Sequence, residues 1–223
     1  MSLAGWRPPP LPPRAGHRGL WCRLEPLAPH HASGLFEAYE GHPEVWRFLA
    51  QGPFATTADY AAWVEGARLL HDPLHMAVRL PDGRLGGTLS LLRIHPAAGS
   101  IEIGWIAYAP RLQRGTAATE AIVLLANWAF GVGYRRLEWK CDARNEASIR
   151  AARRLGFVHE GTHRQAAVVK GENRDTAWFS ILDGEWPTLR AAWDAWLDPT
   201  NFDAEGRQRR RLSAMTAALR EGT

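Results

Sequence analysis

Residues 101–125, IEIGWIAYAPRLQRGTAATEAIVLL, constrain the fold most. They join an alternating strand to an alanine- and leucine-rich helix through a basic turn that contains glycine. Ile101, Ile103 and Trp105 alternate with Glu102, Gly104 and Ile106, the two-residue period of a pleated strand with one carboxylate among apolar neighbours. Pro110 ends that strand. Arg111, Gln113, Arg114, Gly115 and Thr116 follow, and the helix runs on from Ala117. Its first backbone N–H groups have no partner within the helix, and its dipole favours negative charge there. Gly115 lets the backbone come close to a ligand, while Arg111 and Arg114 add formal positive charge. A phosphate or pyrophosphate suits such a turn. An ordinary strand-to-helix connection with solvated arginines suits it too.

The run Gln113-Arg114-Gly115-Thr116-Ala117-Ala118 resembles the acetyl-CoA-binding motif of the GNAT superfamily of N-acetyltransferases, Gln/Arg-x-x-Gly-x-Gly/Ala. Gln113 and Ala118 match, and Thr116 stands where the family usually has a glycine. Downstream, Asn145-Glu146-Ala147-Ser148 leading into Leu155-Gly156-Phe157 resembles the Asn-x-x-Ser…Leu-Gly-Phe signature of the same superfamily. Residues 171–176, then Trp178-Phe179-Ser180 and Glu185-Trp186-Pro187, are similar to the closing strand of the RimJ/RimL-type ribosomal-protein alanine acetyltransferase branch. Together these cover most of residues 18–187.

A chain of 223 residues with 46% hydrophobic content can bury a substantial core, and its length suits one large domain. The sequence divides into a proline-rich N-terminal arm (1–17), expected to be extended rather than packed, an N-acetyltransferase domain (18–187) and a C-terminal helical extension (188–223). No eighteen-residue apolar run and no secretory segment is visible, so the expected location is cytoplasmic, without a membrane partner. Cys22 and Cys141 read as reduced thiols, Cys141 as a buried one. The net charge of +4 and pI near 9.5 permit an anionic partner such as CoA, but the excess is too small to indicate nucleic acid.

Along the chain, strands are expected at 20–27, 74–80, 84–94, 101–109, 136–141, 158–169 and 176–182, with Pro81-Asp82-Gly83 as a hairpin turn. Helices are expected at 29–39, from 57–59 to about 70, from 117 to about 131, at 145–155, 189–196 and 206–219. The fold class is α/β (α+β): a GNAT-like mixed, mostly antiparallel sheet of about six to seven strands flanked by helices. Trp46, Phe54 and Trp63 read first as packing and second as substrate contacts. Arg207, Arg209, Arg210 and Arg211 read as a solvated helix face, with a nucleotide phosphate or RNA as the other reading.

Acetyl transfer from a thioester to an amine needs a neutral amine, a polarised carbonyl and a stabilised thiolate. Glu102 is the candidate base, and a structural pairing with a nearby arginine is the competing role. By resemblance, Ile106, Ala107 and Tyr108 face the pantetheine arm and the acetyl oxygen. The same resemblance gives Arg114, Gly115, Thr116, Ala117, Ala118 and Thr119, after Gln113, to the pyrophosphate. Asn145 matches the family asparagine that bonds the pantetheine, and it also suits a helix N-cap. Related enzymes place a tyrosine acid where this chain has Ala152, so Ser148 is the substitute proton donor. His75, His95, His159 and His163 have no partner at metal-ligand spacing, read as surface or substrate-side residues, and lead to an expectation of no metal. The expected activity is therefore direct transfer from acetyl-CoA, as co-substrate, to a primary amine on a protein N-terminus or small molecule. The alternative is a non-catalytic CoA-binding or RNA- or ribosome-binding module, and a homodimer stays open.

Overall fold

A computed structural model describes residues 3–217. Among them are eight strands and six α-helices, and the chain separates into two compact units, Met1–Arg47 with Gly52–Leu137, and Phe48–Gln51 with Glu138–Thr223. The fold class is the expected mixed α/β with mostly antiparallel pairing, with eight strands where six to seven were expected.

The first unit carries β1 (His17–Arg18), β2 (Arg23–Pro26), β3 (Leu74–Arg79), β4 (Leu85–His95) and β5 (Ser100–Tyr108), neighbours in that order and all antiparallel. The extra strand is the two-residue β1, too short to show a period. Met76, Ala77, Val78, Leu89, Leu91, Ile101 and Ile103 are almost wholly buried, because both faces of this sheet are covered. Helix α1 (Ala32–Tyr39) packs on β4 and on α2 (Thr57–Ala67), whose Thr56 and Asp59 form a capping box. Helix α3 (Thr116–Gly131) packs on β5 and β1.

Glu120 on α3 fixes that second contact. Its buried carboxylate accepts the N–H groups of Leu20, Trp21 and Cys22 at 2.7–2.8 Å. A β-carbon at Gly19 would lie 2.3 Å from it, so only glycine fits there. The N-terminal arm, expected to be extended rather than packed, is packed: Pro9 is buried, Tyr134 donates to the Pro10 carbonyl at 3.1 Å, and Arg135 lies over the Trp6 ring.

The second unit holds most of β6 (Arg136–Asp142), beside β8 (Glu172–Leu182), which pairs antiparallel with β7 (Val158–Val169). Helix α4 (Glu146–Leu155) ends at Gly156, left-handed with φ 98°, and a β-carbon there would meet Leu189 at 2.4 Å. Helix α5 (Trp186–Leu197) supplies that leucine and Trp193, whose indole donates to the Leu155 carbonyl at 3.0 Å. Arg154 stacks over Trp196, and Trp196 meets Phe202 edge-on.

The helix expected at 206–219 is shorter: α6 spans Leu212–Ala217, and residues 218–219 lie outside the described residues. Residues 207–211 are not helical. Arg207 pairs with Asp203 and Glu205, and Asn201 accepts the backbone N–H groups of Arg209 and Arg210, which pins the chain before the helix starts.

Candidate active site

Strand β5 does not keep the alternation its sequence suggests. Thr88 faces Ala107 and Ser90 faces Gly104, so Trp105 and Ile106 together oppose Leu89 in a β-bulge. Trp105 takes φ 50°, a left-handed conformation costly for an aromatic residue and one that concentrates at functional sites. Past the bulge, Tyr39 donates from its hydroxyl to the Ala107 carbonyl at 2.8 Å, and Gln113 donates to the Tyr108 carbonyl at 2.7 Å. The Tyr108 hydroxyl reaches the Ala118 carbonyl at 3.4 Å. Burial pushes the Tyr39 and Tyr108 phenols above their usual range, so both stay protonated. Ile106, Ala107, Tyr108, Gln113 and Ala118 are thus gathered at one strand end and one helix start.

The turn between them reaches the helix through Arg114, with φ 63°. Gly115 is extended (φ −84°, ψ 166°), so the strained position falls on the arginine and not on the glycine. Thr116 is the first helical residue, and its place in the glycine position of the family motif makes no backbone conflict. No side chain caps α3 and no acidic residue stands in its first turn. Gly115 is exposed and Thr116, Ala117 and Ala118 are half-buried, while Thr119 is buried. An exposed, uncapped start of a sixteen-residue helix beside Arg114 fits an anion. Arg111 does not join it: it pairs with Glu37 at 3.4 Å and lines a cavity with Arg79 and Arg84.

Glu102 is 2% exposed and ion-paired with Arg93. Its carboxylate lies over Gly104, where a β-carbon would come within 2.7 Å of Oε1. In the second unit, Asn145 caps α4, its Oδ1 accepting the Ser148 N–H at 3.1 Å. Ser148 Oγ accepts the Trp139 indole N–H at 2.9 Å. The cap and the serine are therefore local structure of that unit, with the Ser148 hydroxyl also turned toward Cys141.

His75, expected at the surface or on the substrate side, is not at the surface. It is buried between the Trp63 and Trp105 rings, with Nδ1 2.7 Å from Ser90 Oγ. Burial, with Arg14 adding repulsion, holds its pKa near about 4. Glu25, His30 and His31 also lie close enough to share an ion. Arg79 already holds Glu25 at 2.7 and 2.8 Å, keeping its pKa at about 2. His31 Nδ1 accepts from Ala28 N–H, so Nε2 carries the proton and donates to Glu25. His31 thus has no lone pair for a cation.

Residues 22–158 match the model of the acetyltransferase (GNAT) domain family. The chain belongs to that family and is an acyltransferase. It is 44% identical to a GCN5-related N-acetyltransferase from Brucella melitensis, over 96% of this chain and 100% of that one, with a TM-score of 0.94. It is 43% identical to a candidate GNAT-family acetyltransferase from Chromobacterium violaceum, over 84% and 96% of the two chains, with a TM-score of 0.79. It is also similar to a candidate ribosomal N-acetyltransferase, YdaF of Bacillus subtilis, 29% identical over 73% of this chain and 90% of that protein. Among the described residues no helix is long and apolar enough to cross a membrane.

Proposed function

We propose that the chain transfers the acetyl group of acetyl-CoA directly to a primary amine, on a protein N-terminus or a small molecule, without an acyl-enzyme. The observation that carries this reading is the bulge in β5 at Trp105 followed by the uncapped α3 start, whose free backbone donors suit a pyrophosphate. The amine nitrogen attacks the thioester carbon, a C–N bond forms, and the C–S bond breaks. The nitrogen loses a proton, and the CoA sulfur gains one.

Glu102, held by Arg93, accepts the amine proton through a water, and the backbone at Ile106–Tyr108 holds the thioester. The family resemblance alone proposes Ser148 as proton donor and Asn145 as pantetheine contact. The likeness to YdaF, named as a ribosomal N-acetyltransferase, supports a ribosomal acceptor among the candidates. Release of free CoA thiol from acetyl-CoA with a panel of amines and N-terminal peptides tests the reading. Thiol release that depends on amine supports it, whereas CoA binding without amine-dependent release identifies a non-catalytic CoA-binding module.

A further inference from the structure

The left-handed Trp105 at the β5 bulge is costly for a bulky residue and persists only where its surroundings hold it. His75 supplies a hold on its side chain. The imidazole meets the Trp105 indole edge-on, with centroids 5.7 Å apart at 86°, and meets Trp63 of α2 at 5.4 Å and 73°. His75 is 3% exposed, so its ring is a wedge inside packed structure.

The wedge has a fixed orientation. His75 stands directly opposite Ser90 in the register of β3 with β4, and the fully buried Ser90 Oγ lies 2.7 Å from Nδ1. A leucine and an alanine would fill these two positions without taking two polar groups out of water. What the polar pair adds is a single ring orientation, because a hydrogen bond to one ring nitrogen selects one rotamer.

The pair also borders the carboxylate of the proposed base. Ser90 stands directly opposite Gly104, so His75, Ser90 and Gly104 form one row across β3, β4 and β5, on one face of the sheet. Glu102 bends its carboxylate over Gly104, within 2.7 Å of where a β-carbon would be. Strands lie about 4.8 Å apart, which makes that carboxylate the neighbour of the Ser90 hydroxyl in the row.

We propose that His75, fixed by Ser90, is a positioning residue for acetyl transfer: the imidazole holds the Trp105 ring and, through it, the bulge at which the thioester is polarised. This rests on the N-acetyltransferase reading. Both residues act through Trp105 and not on the reacting atoms.

The decisive variant combines His75→Leu with Ser90→Ala, which removes both polar partners at once and strands neither. Its melting temperature should stay within about 4 °C of the wild type. Its affinity for CoA, titrated calorimetrically, should stay within about twofold, since the α3 start is untouched. The single-turnover rate of transfer from acetyl-CoA to the amine or N-terminal peptide that releases thiol fastest should fall at least about tenfold. Amide hydrogen exchange across residues 104–108 should speed up by a similar factor. A role in packing alone predicts that a stable double variant transfers and exchanges like the wild type, and that result overturns the proposal. If the double variant does not fold, Ser90→Ala decides, because it keeps the imidazole and removes only its tie: slower transfer with unchanged CoA affinity supports the proposal, and wild-type transfer overturns it. Exchange keeps the two readings apart. Faster exchange in a chain that releases no thiol would refute the enzymatic reading and support the hold of His75 on the bulge.

Discussion

Two helix starts in this chain treat their free backbone donors in opposite ways. At α3 no side chain caps the N-terminus, no carboxylate stands in the first turn, and the preceding Arg114 is exposed. At α4 Asn145 caps the first turn, Glu146 neutralises the dipole, and Ser148 is engaged by Trp139. A helix start whose donors are met from within has less to offer an anion than one left open, and the open one suits the proposed pyrophosphate seat. The contrast explains how two family-like motifs in one sequence differ in what they show once folded.

The largest expected effect concerns the one carboxylate near the open start. Glu120 lies one turn into α3 but faces Leu20, Trp21 and Cys22, so it serves packing and not the proposed anion seat. Glu120→Ala strands three backbone N–H groups at about 1–3 kcal/mol each and should cost about 3 kcal/mol or more in chemical denaturation. Acetyl-CoA affinity of the folded fraction should be unchanged; a large fall would make Glu120 part of the seat.

Acid should weaken the first unit through His75. Its folded pKa near about 4 lies below the unfolded 6.5, so the unfolded chain binds more protons between those values. Stability should therefore fall as pH drops from 6.5 to 4, by on the order of 3 kcal/mol at about 1.4 kcal/mol per pH unit. Glu25, with its folded pKa depressed to about 2, adds a second loss as pH falls from 4.5 toward 2. Urea melts across pH 7.5 to 4 should flatten in His75→Gln, and an unchanged slope would remove His75 from the account.

Glu102→Gln should lower the acetylation rate by about two orders of magnitude while leaving acetyl-CoA binding intact. If the rate holds and only the melting temperature moves, the Arg93 pairing is its whole role. The smallest effect belongs to the closed start: Asn145→Ala should cost about 1 kcal/mol through the lost cap. No measurable loss would mean that the α4 start is less self-sufficient than its hydrogen bonds suggest.

Much of this was legible in the sequence where a residue has one physical use. The span of β7, the Pro81–Gly83 turn, the cap at Asn145 and the left-handed Gly156 all follow from local chemistry. The bulge at Trp105 was not legible, because apolar residues continue through it on a strand covered on both faces and nothing marks the extra residue. The burial of His75 was not legible, since nothing near it in sequence decides between the surface and the substrate side, and its buried partner Ser90 lies fifteen residues on. The arginine run at 207–211 has helical propensity, which the bonds from Asn201 override. Tyr39, which holds the Ala107 carbonyl, acts at a separation of 68 residues and leaves no local signal.

The most direct test of the open helix start is Thr116→Glu, read by calorimetric titration of acetyl-CoA at two salt concentrations. A glutamate in the first turn favours the α3 dipole and places α3 in the condition of α4, so the variant should be as stable as the wild type. The same carboxylate repels a pyrophosphate, and affinity should fall about a hundredfold, with a weaker salt dependence. A folded variant that binds acetyl-CoA as tightly as the wild type would contradict the assignment of the α3 start as the cofactor's anion seat.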